Sequence, residues 1–294
     1  MTRFTDALWK AVPHGLYEHF KTAQQARLRQ QEEMAKLQPA LDLAAGNVVF
    51  RDRHKGQRCF ILCNGPSVNK QDIKPLKNEH VLSVSNGYLH ADFATIDPEY
   101  HFVPQLTYGL VTTTDAIAWF REMDARLGRA TVFLNCTEAE LVRRECLFPE
   151  RDVHYTAFYK LFSDYDPGIK PDLASNIPAP QSVAIMCLMA AIYMGFTKIY
   201  LLGTDHDQFR TGQYSYSFEP TVLKGKDSTA NSDGELIGGW HDELASLAVL
   251  WGQYRVVRKM AERHGVQIFN ATAGGELDEF PRVELSSVLA SAES

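Results

Sequence analysis

Residues 59–67 read CFILCNGPS, and residues 198–205 read KIYLLGTD. Each is a short apolar run that breaks off into glycine and small polar side chains. Apolar runs of this length, bounded by turn residues, read as strands buried on both faces. The same pattern recurs at 81–85 before Asn86-Gly87, at 93–96 before Asp97-Pro98, at 130–134 before Asn135 and at 266–269 before Asn270. Helical patterns fill the gaps at 113–126, 138–145, 181–194 and 242–264, the last closing on His264-Gly265. Strands alternating with helices predict an α/β, Rossmann-like domain with a largely parallel sheet and helices on both faces. In such sheets ligands bind beyond the carboxyl ends of the strands. The polar residues fall at those ends.

Residues 5–45 read as a helical arm, rich in Ala, Gln, Glu, Lys, Arg and Leu from Phe20 onward. The expected organisation is an arm over 1–48 and an α/β domain over 49–294. Trp9, Leu16, Tyr17 and Phe20 beside Lys10, Lys21, Arg27 and Arg29 suit either a surface-binding or self-associating arm, or a helix packed on its own domain. Residues 51–56, RDRHKG, form a basic lead-in to the first strand.

The 294 residues suffice for a substantial core, and 45% apolar with 22% charged residues is ordinary for a globular chain. A net charge of -6 argues against a chain-wide nucleic-acid footprint. No apolar run is long enough to span a bilayer, and no signal-peptide pattern opens the chain. The five cysteines are odd in number and mostly lie in apolar runs, which points to free thiols in a reducing, cytoplasmic setting.

Asn64-Gly65-Pro66-Ser67 combines close backbone approach at glycine, a turn fixed by proline, and two side chains able to meet a sugar or base edge. It is neither the GxGxxG fingerprint nor a P-loop, which disfavours a dehydrogenase or a P-loop kinase. A plain β-turn with Ser67 capping the next element reads equally well. Beyond the 198–202 strand, Gly203-Thr204-Asp205-His206-Asp207 places two carboxylates where they can hold a cation against a diphosphate, or serve the loop itself. Tyr214 and Tyr216 alternate with serine and can donate to a phosphate or pack as wall. In IGGWHDE, residues 237–243, His241 opens a long helix. The positive end of the helix dipole disfavours an imidazolium there, so His241 can act as a base, although Asp242 and Glu243 oppose that effect. The polar stretch 225–239 before it reads as a closing loop.

Taken together, CFILCNGPS, LSVSNGY, FATIDPEY and KIYLLGTDHDQF resemble the bacterial sialyltransferases that use a CMP-activated sugar, and the broader MptE-like (DUF115) group. That group includes archaeal 6-hydroxymethylpterin diphosphokinases and domains of flagellin nonulosonate transferases. The likeness covers about residues 50–285 and is weakest over 100–175. It implies that Asn64 and Gly65, with Pro66 and Ser67, line a CMP site, joined by Asn86, Asp97, Ser182, Gly203, Thr204 and Asp205. Asp97 stands where the sialyltransferases carry Asn, and the register at Ser182 departs from their pattern. The resemblance implies Tyr216 as the group that eases phosphate departure and His241, one residue displaced, as the general base. It further implies a glycosyltransferase of surface-polysaccharide assembly, with a CMP-linked nonulosonate or Kdo-like donor and a glycan or lipid-linked glycan acceptor. No cofactor is required on this reading. Peripheral contact with the inner membrane face and self-association through the arm are the partner expectations, with no nucleic acid. Two alternatives stay open: an ATP- and magnesium-dependent phosphotransferase with Asp97, Asp205 and Asp207 as ligands, and a non-catalytic nucleotide-binding scaffold.

Overall fold

The structure is a computed structural model. It describes residues 35–106, 109–224, 233–237 and 239–290. Most of the predicted arm, residues 1–34, lies outside the described residues.

Among the described residues eight strands form one parallel sheet: β1 (Arg58–Leu62), β2 (His80–Val84), β3 (Tyr100–Phe102), β4 (Thr131–Asn135), β5 (Val153–Lys160), β6 (Asn176–Pro178), β7 (Lys198–Leu202) and β8 (Gln267–Asn270). Their order across the sheet is β6-β5-β4-β3-β2-β1-β7-β8. The chain builds outward from β1 to β6, then returns to the other side of β1 with β7. The order therefore reverses between β1 and β7. Ile61 lies in register with Leu82 on one side and Leu201 on the other.

Each central strand serves two cores. On β1, Cys59 and Ile61 point into one cluster and Phe60 and Leu62 into another, as the two-residue period of a strand requires. Among the described residues eight helices accompany the sheet: α1 (35–45), α2 (Phe93–Ile96), α3 (Thr113–Asp124), α4 (Ala139–Arg144), α5 (Val183–Tyr193), α6 (Gln208–Thr211), α7 (Gly239–Arg263) and α8 (Leu285–Ala290). α5 is buried over ten of its eleven residues, which its sequence VAIMCLMAAIY permits on every face. It shares a core with Leu250, Tyr254 and Val257 of α7, on the face of β1 that carries Ile61. α8 closes the opposite face through Leu285 and Val288. Ala40 and Ala44 of α1 pack with Cys136 and Ala157, so this part of the predicted arm rests on the domain. No helix among the described residues is long and apolar enough to cross a membrane.

One predicted strand is corrected. Residues 93–96 form a single helical turn, α2. Phe93 and Ile96 are buried while Ala94 and Thr95 are exposed, a spacing of three that belongs to a helix. The strand itself is β3, which begins four residues after Ile96.

Candidate functional site at the β1/β7 switch point

β1 and β7 run into two turns that remain paired beyond the strands. Cys63 N–H donates to the Leu202 carbonyl at 2.8 Å, and Gly65 N–H to the Gly203 carbonyl at 2.9 Å. Gly65 is required by crowding. A Cβ there would lie 1.9 Å from Asp205 Oδ2 and 2.6 Å from the Gly203 carbonyl oxygen. Gly203 has φ +68° and a Cβ would strike Val68 and the Cys63 carbonyl, so both space and conformation select glycine. Pro66 opens a 3-10 turn, Pro66–Lys70, in which Ser67 and Val68 are buried.

Asp205 holds this turn shut. Its carboxylate accepts from the Ser67 N–H at 3.1 Å and the Ser67 hydroxyl at 2.7 Å. Burial raises its pKa, and the two Ser67 bonds oppose that rise. The Asp205 carbonyl accepts from Glu276 N–H at 2.7 Å. Asp205 thus positions the Asn64–Ser67 turn from behind. Thr204 is likewise buried and hydrogen-bonded to Thr272, through both its N–H and its hydroxyl. Asn270 is consumed at the β8 end, donating to the Leu277 carbonyl and accepting from Thr272 N–H.

The second turn, Ser85–Leu89, follows β2. Ser85 has a left-handed φ of 47°. Its carbonyl accepts from His101 Nε2–H at 2.9 Å, while His101 Nδ1 accepts from the Ser83 hydroxyl at 2.8 Å. Burial pushes the His101 pKa down to about 3, so the ring is neutral and this tautomer is fixed. Asn86 accepts from the Trp119 indole N–H. A Cβ on Gly87 would sit 3.1 Å from Asn64 Oδ1, which brings the two Asn-Gly turns into contact.

The third wall is the segment carrying the tyrosines. Ser217 N–H donates to the Asn64 carbonyl, and Asn69 Nδ2 donates to the Ser217 carbonyl, both at 2.8 Å. Tyr216 stacks on Phe218 with centroids 5.5 Å apart and meets the Tyr214 ring edge-on at 5.1 Å. His90 Nε2–H donates to Asn69 Oδ1 at 3.1 Å, and burial lowers its pKa. Leu62, Cys63, Asn64, Val68, Gly87, His90 and Ser217 line one crevice, too narrow as it stands to hold a water molecule.

The remaining predicted residues lie elsewhere or serve the frame. Ser182 caps α5, accepting from Ala184 N–H at 3.3 Å. His206, φ 47°, meets the Tyr254 hydroxyl at 2.8 Å, and burial lowers its pKa to about 4. His241 stands on the first turn of α7 with its side chain 93% exposed, Nδ1 at 3.0 Å from Asp242. It does not line the crevice. Most of the predicted closing loop, residues 225–232 and 238, lies outside the described residues.

Asp97 is placed apart from Asp205 and Asp207. It caps α2 in a left-handed conformation, before β3, at the edge of the sheet opposite the crevice. Its carboxylate accepts from Arg129 N–H at 3.2 Å and pairs with the Arg129 guanidinium at 3.3 Å. Asp97 therefore does not join Asp205 and Asp207. The error follows from the misread strand: with 93–96 read as a strand, Asp97 fell at a carboxyl end. His90, His101 and Ser217 were missed because no local spacing marks them. His101 meets Ser85 only through adjacent strands.

No family model matches the chain, and no curated protein matches it. Among solved structures it is similar to the sialyltransferase CstII from Campylobacter jejuni in complex with a substrate analogue, CMP-3FNeuAc. That pair is 16% identical over 77% of this chain and 86% of the other, with a TM-score of 0.42. It is also similar to CST-II in complex with trisaccharide acceptor and CMP, at 15% identity over the same shares and a TM-score of 0.42. At that distance the likeness carries no argument about the site.

Proposed function

We propose that this chain is a glycosyltransferase that takes a sugar from a CMP-activated donor, of the nonulosonate or Kdo-like class, to a hydroxyl of a surface-glycan acceptor. The observation that carries the reading is the convergence, at the sheet's switch point, of the Asn64-Gly65 turn, the Asn86-Gly87 turn and the Tyr216-Ser217 segment. Parallel sheets bind nucleotides at this location. Amide and hydroxyl groups there match the edges of a base and a ribose, and the resemblance of the sequence motifs to CMP-dependent sialyltransferases agrees with it.

On this reading the acceptor oxygen attacks the anomeric carbon as the bond from that carbon to the CMP phosphate oxygen breaks. His241 takes the acceptor proton. Tyr216 donates to the leaving phosphate. Because His241 stands in solvent beside Asp242, the first turn of α7 must approach the crevice when donor and acceptor are bound. The phosphotransferase alternative is less well supported, since Asp97 lies on the opposite edge of the sheet.

The test is a thermal-shift series with CMP, UDP, GDP, ADP and ATP, each with magnesium or EDTA, followed by transfer assays with CMP-sugars. A ligand that binds only the native state raises Tm. A CMP shift that survives EDTA, lost in Asn64→Ala, supports the reading. A shift confined to ATP with magnesium overturns it.

A further inference from the structure

The basic lead-in of residues 51–56 has no part in the crevice, yet it carries a buried histidine, His54. His54 meets His80, the first residue of β2, and Glu99, just before β3. One side-chain ligand atom from each of the three lies within 4.8 Å of the others, and they form the one such cluster of His, Cys, Asp and Glu among the described residues. We propose that His54, His80 and Glu99 bind a divalent transition-metal ion of the zinc class at the amino-terminal edge of the sheet.

Four features of the geometry support it. First, the distances suit an ion. Ligand atoms about 2.1 Å from a tetrahedral zinc stand about 3.4 Å from one another. The His80 Nδ1–Glu99 Oε2 distance, 2.7 Å, is a hydrogen-bond contact about 0.7 Å below that spacing, and the His54 Nε2–Glu99 Oε1 distance, 3.7 Å, is about 0.3 Å above it, so an ion fits once the carboxylate moves away from His80.

Second, His54 already presents the right nitrogen. Its Nδ1–H donates to Gln57 Oε1 at 2.9 Å, which leaves the lone pair on Nε2. A neighbour that fixes the tautomer of a histidine in this way is the usual outer partner of a metal ligand. In the ion-free arrangement Nε2 accepts from the Tyr100 hydroxyl at 2.7 Å. Tyr100 is also within hydrogen-bonding reach of Glu99, so its hydroxyl can turn to the carboxylate when an ion takes Nε2. An ion at His80 Nδ1 takes the place of the hydrogen bond between that nitrogen and Glu99.

Third, the backbones beneath the ligands are fixed. His54 N–H donates to the Met194 carbonyl, with Asp52 and Gly56 bonded to Tyr193 and Gly195 on either side. Glu99 is laddered to Val81 and Thr131. The His54 ring is stacked on Phe196 at 4.5 Å.

Fourth, the site is reachable. The His80 and Glu99 side chains are 32% and 26% exposed, while His54 closes the inner side at 6%. Two imidazoles and one carboxylate favour zinc, cobalt or nickel over magnesium or calcium. Three protein ligands leave a fourth position for water. The ion would tie the 51–57 turn to β2 and β3, on the edge of the sheet away from the crevice.

The experiment uses the whole chain, stripped with a chelator and titrated with Co2+ and then Zn2+. The expected result is one equivalent of Co2+ giving visible bands of a tetrahedral site, displaced by Zn2+, with a Tm that rises with Zn2+. His80→Ala and Glu99→Gln, both at partly exposed positions, should each weaken binding by roughly tenfold or more, by analogy with the loss of even an outer-shell partner. Their metal-free Tm values check that they fold. His264→Ala, at an exposed position just past α7 and outside the cluster, should bind as the wild type does. Absence of cobalt bands and of a zinc-dependent Tm in the wild type overturns the proposal. So does binding that survives both His80→Ala and Glu99→Gln.

Discussion

The Ser67–Asp205 clamp predicts a strong energetic coupling that a double-mutant cycle can measure. Ser67 and Asp205 are 1% and 7% exposed, so solvent screens their contact little. The hydroxyl bond, at 2.7 Å to a carboxylate, belongs to the charge-assisted class. Removing it by Ser67→Ala should cost about 1.5–3 kcal/mol. Asp205→Ala should cost more, about 2–6 kcal/mol, because it orphans two buried donors at about 1–3 kcal/mol each. That is a large share of a domain stability of about 5–15 kcal/mol. In the Asp205→Ala background the Ser67 hydroxyl has lost its acceptor, so its removal costs little or even helps. The coupling should therefore reach about 1–3 kcal/mol. Urea unfolding of the four proteins at pH 7 gives the cycle, and CMP affinity of the same four reports whether the turn is still shaped for a ligand. If the two substitutions add to within about 0.5 kcal/mol, the clamp does not hold the turn and the account of Asp205 as a positioning group fails.

Three further outcomes follow from the geometry. Gly65→Ala places a methyl 1.9 Å from Asp205 Oδ2, so it should cost at least about 1–3 kcal/mol in unfolding experiments and abolish CMP binding; a protein with unchanged Tm and affinity would contradict the packing. His101 has a folded pKa near 3 against about 6.5 unfolded, so its contribution is intact above pH 6.5 and is lost as pH falls toward 3. At pH 5 that amounts to about 2 kcal/mol, and His101→Gln should flatten the acid limb of a stability-versus-pH curve by that amount. His206, depressed to about 4 by burial, adds to the same limb with the same sign. Asp97→Asn should leave CMP binding unchanged in a titration, since Asp97 faces Arg129 across the sheet from the crevice; a tenfold loss would return it to the site.

Much of the frame was legible along the chain. Lys198–Leu202 is read to the residue, and the β1 run is read with its turn, because four or five apolar residues ending in glycine leave few other structures open. β3, β5 and β6 escaped that reading. β3 and β6 are three residues each, too short for a period, and β6 ends in proline, which the edge of the sheet tolerates because no neighbour asks for its N–H. β5 mixes buried and exposed positions as it runs toward that edge.

Local sequence alone therefore determined that Asn64-Gly65-Pro66-Ser67 ends a buried strand and that Gly203-Thr204-Asp205 ends another. Their spacing along the chain, some 140 residues, says nothing of their being neighbours. Only the tertiary structure decided that β7 returns beside β1, which sets Asp205 behind Ser67 and Ser217 in front of Asn64. It likewise carried Asp97 to the opposite edge, and gathered His54, His80 and Glu99 there. Hydrogen bonds act over about 3 Å of space whatever the distance in sequence, so a site of this kind exists only once the strand order is set.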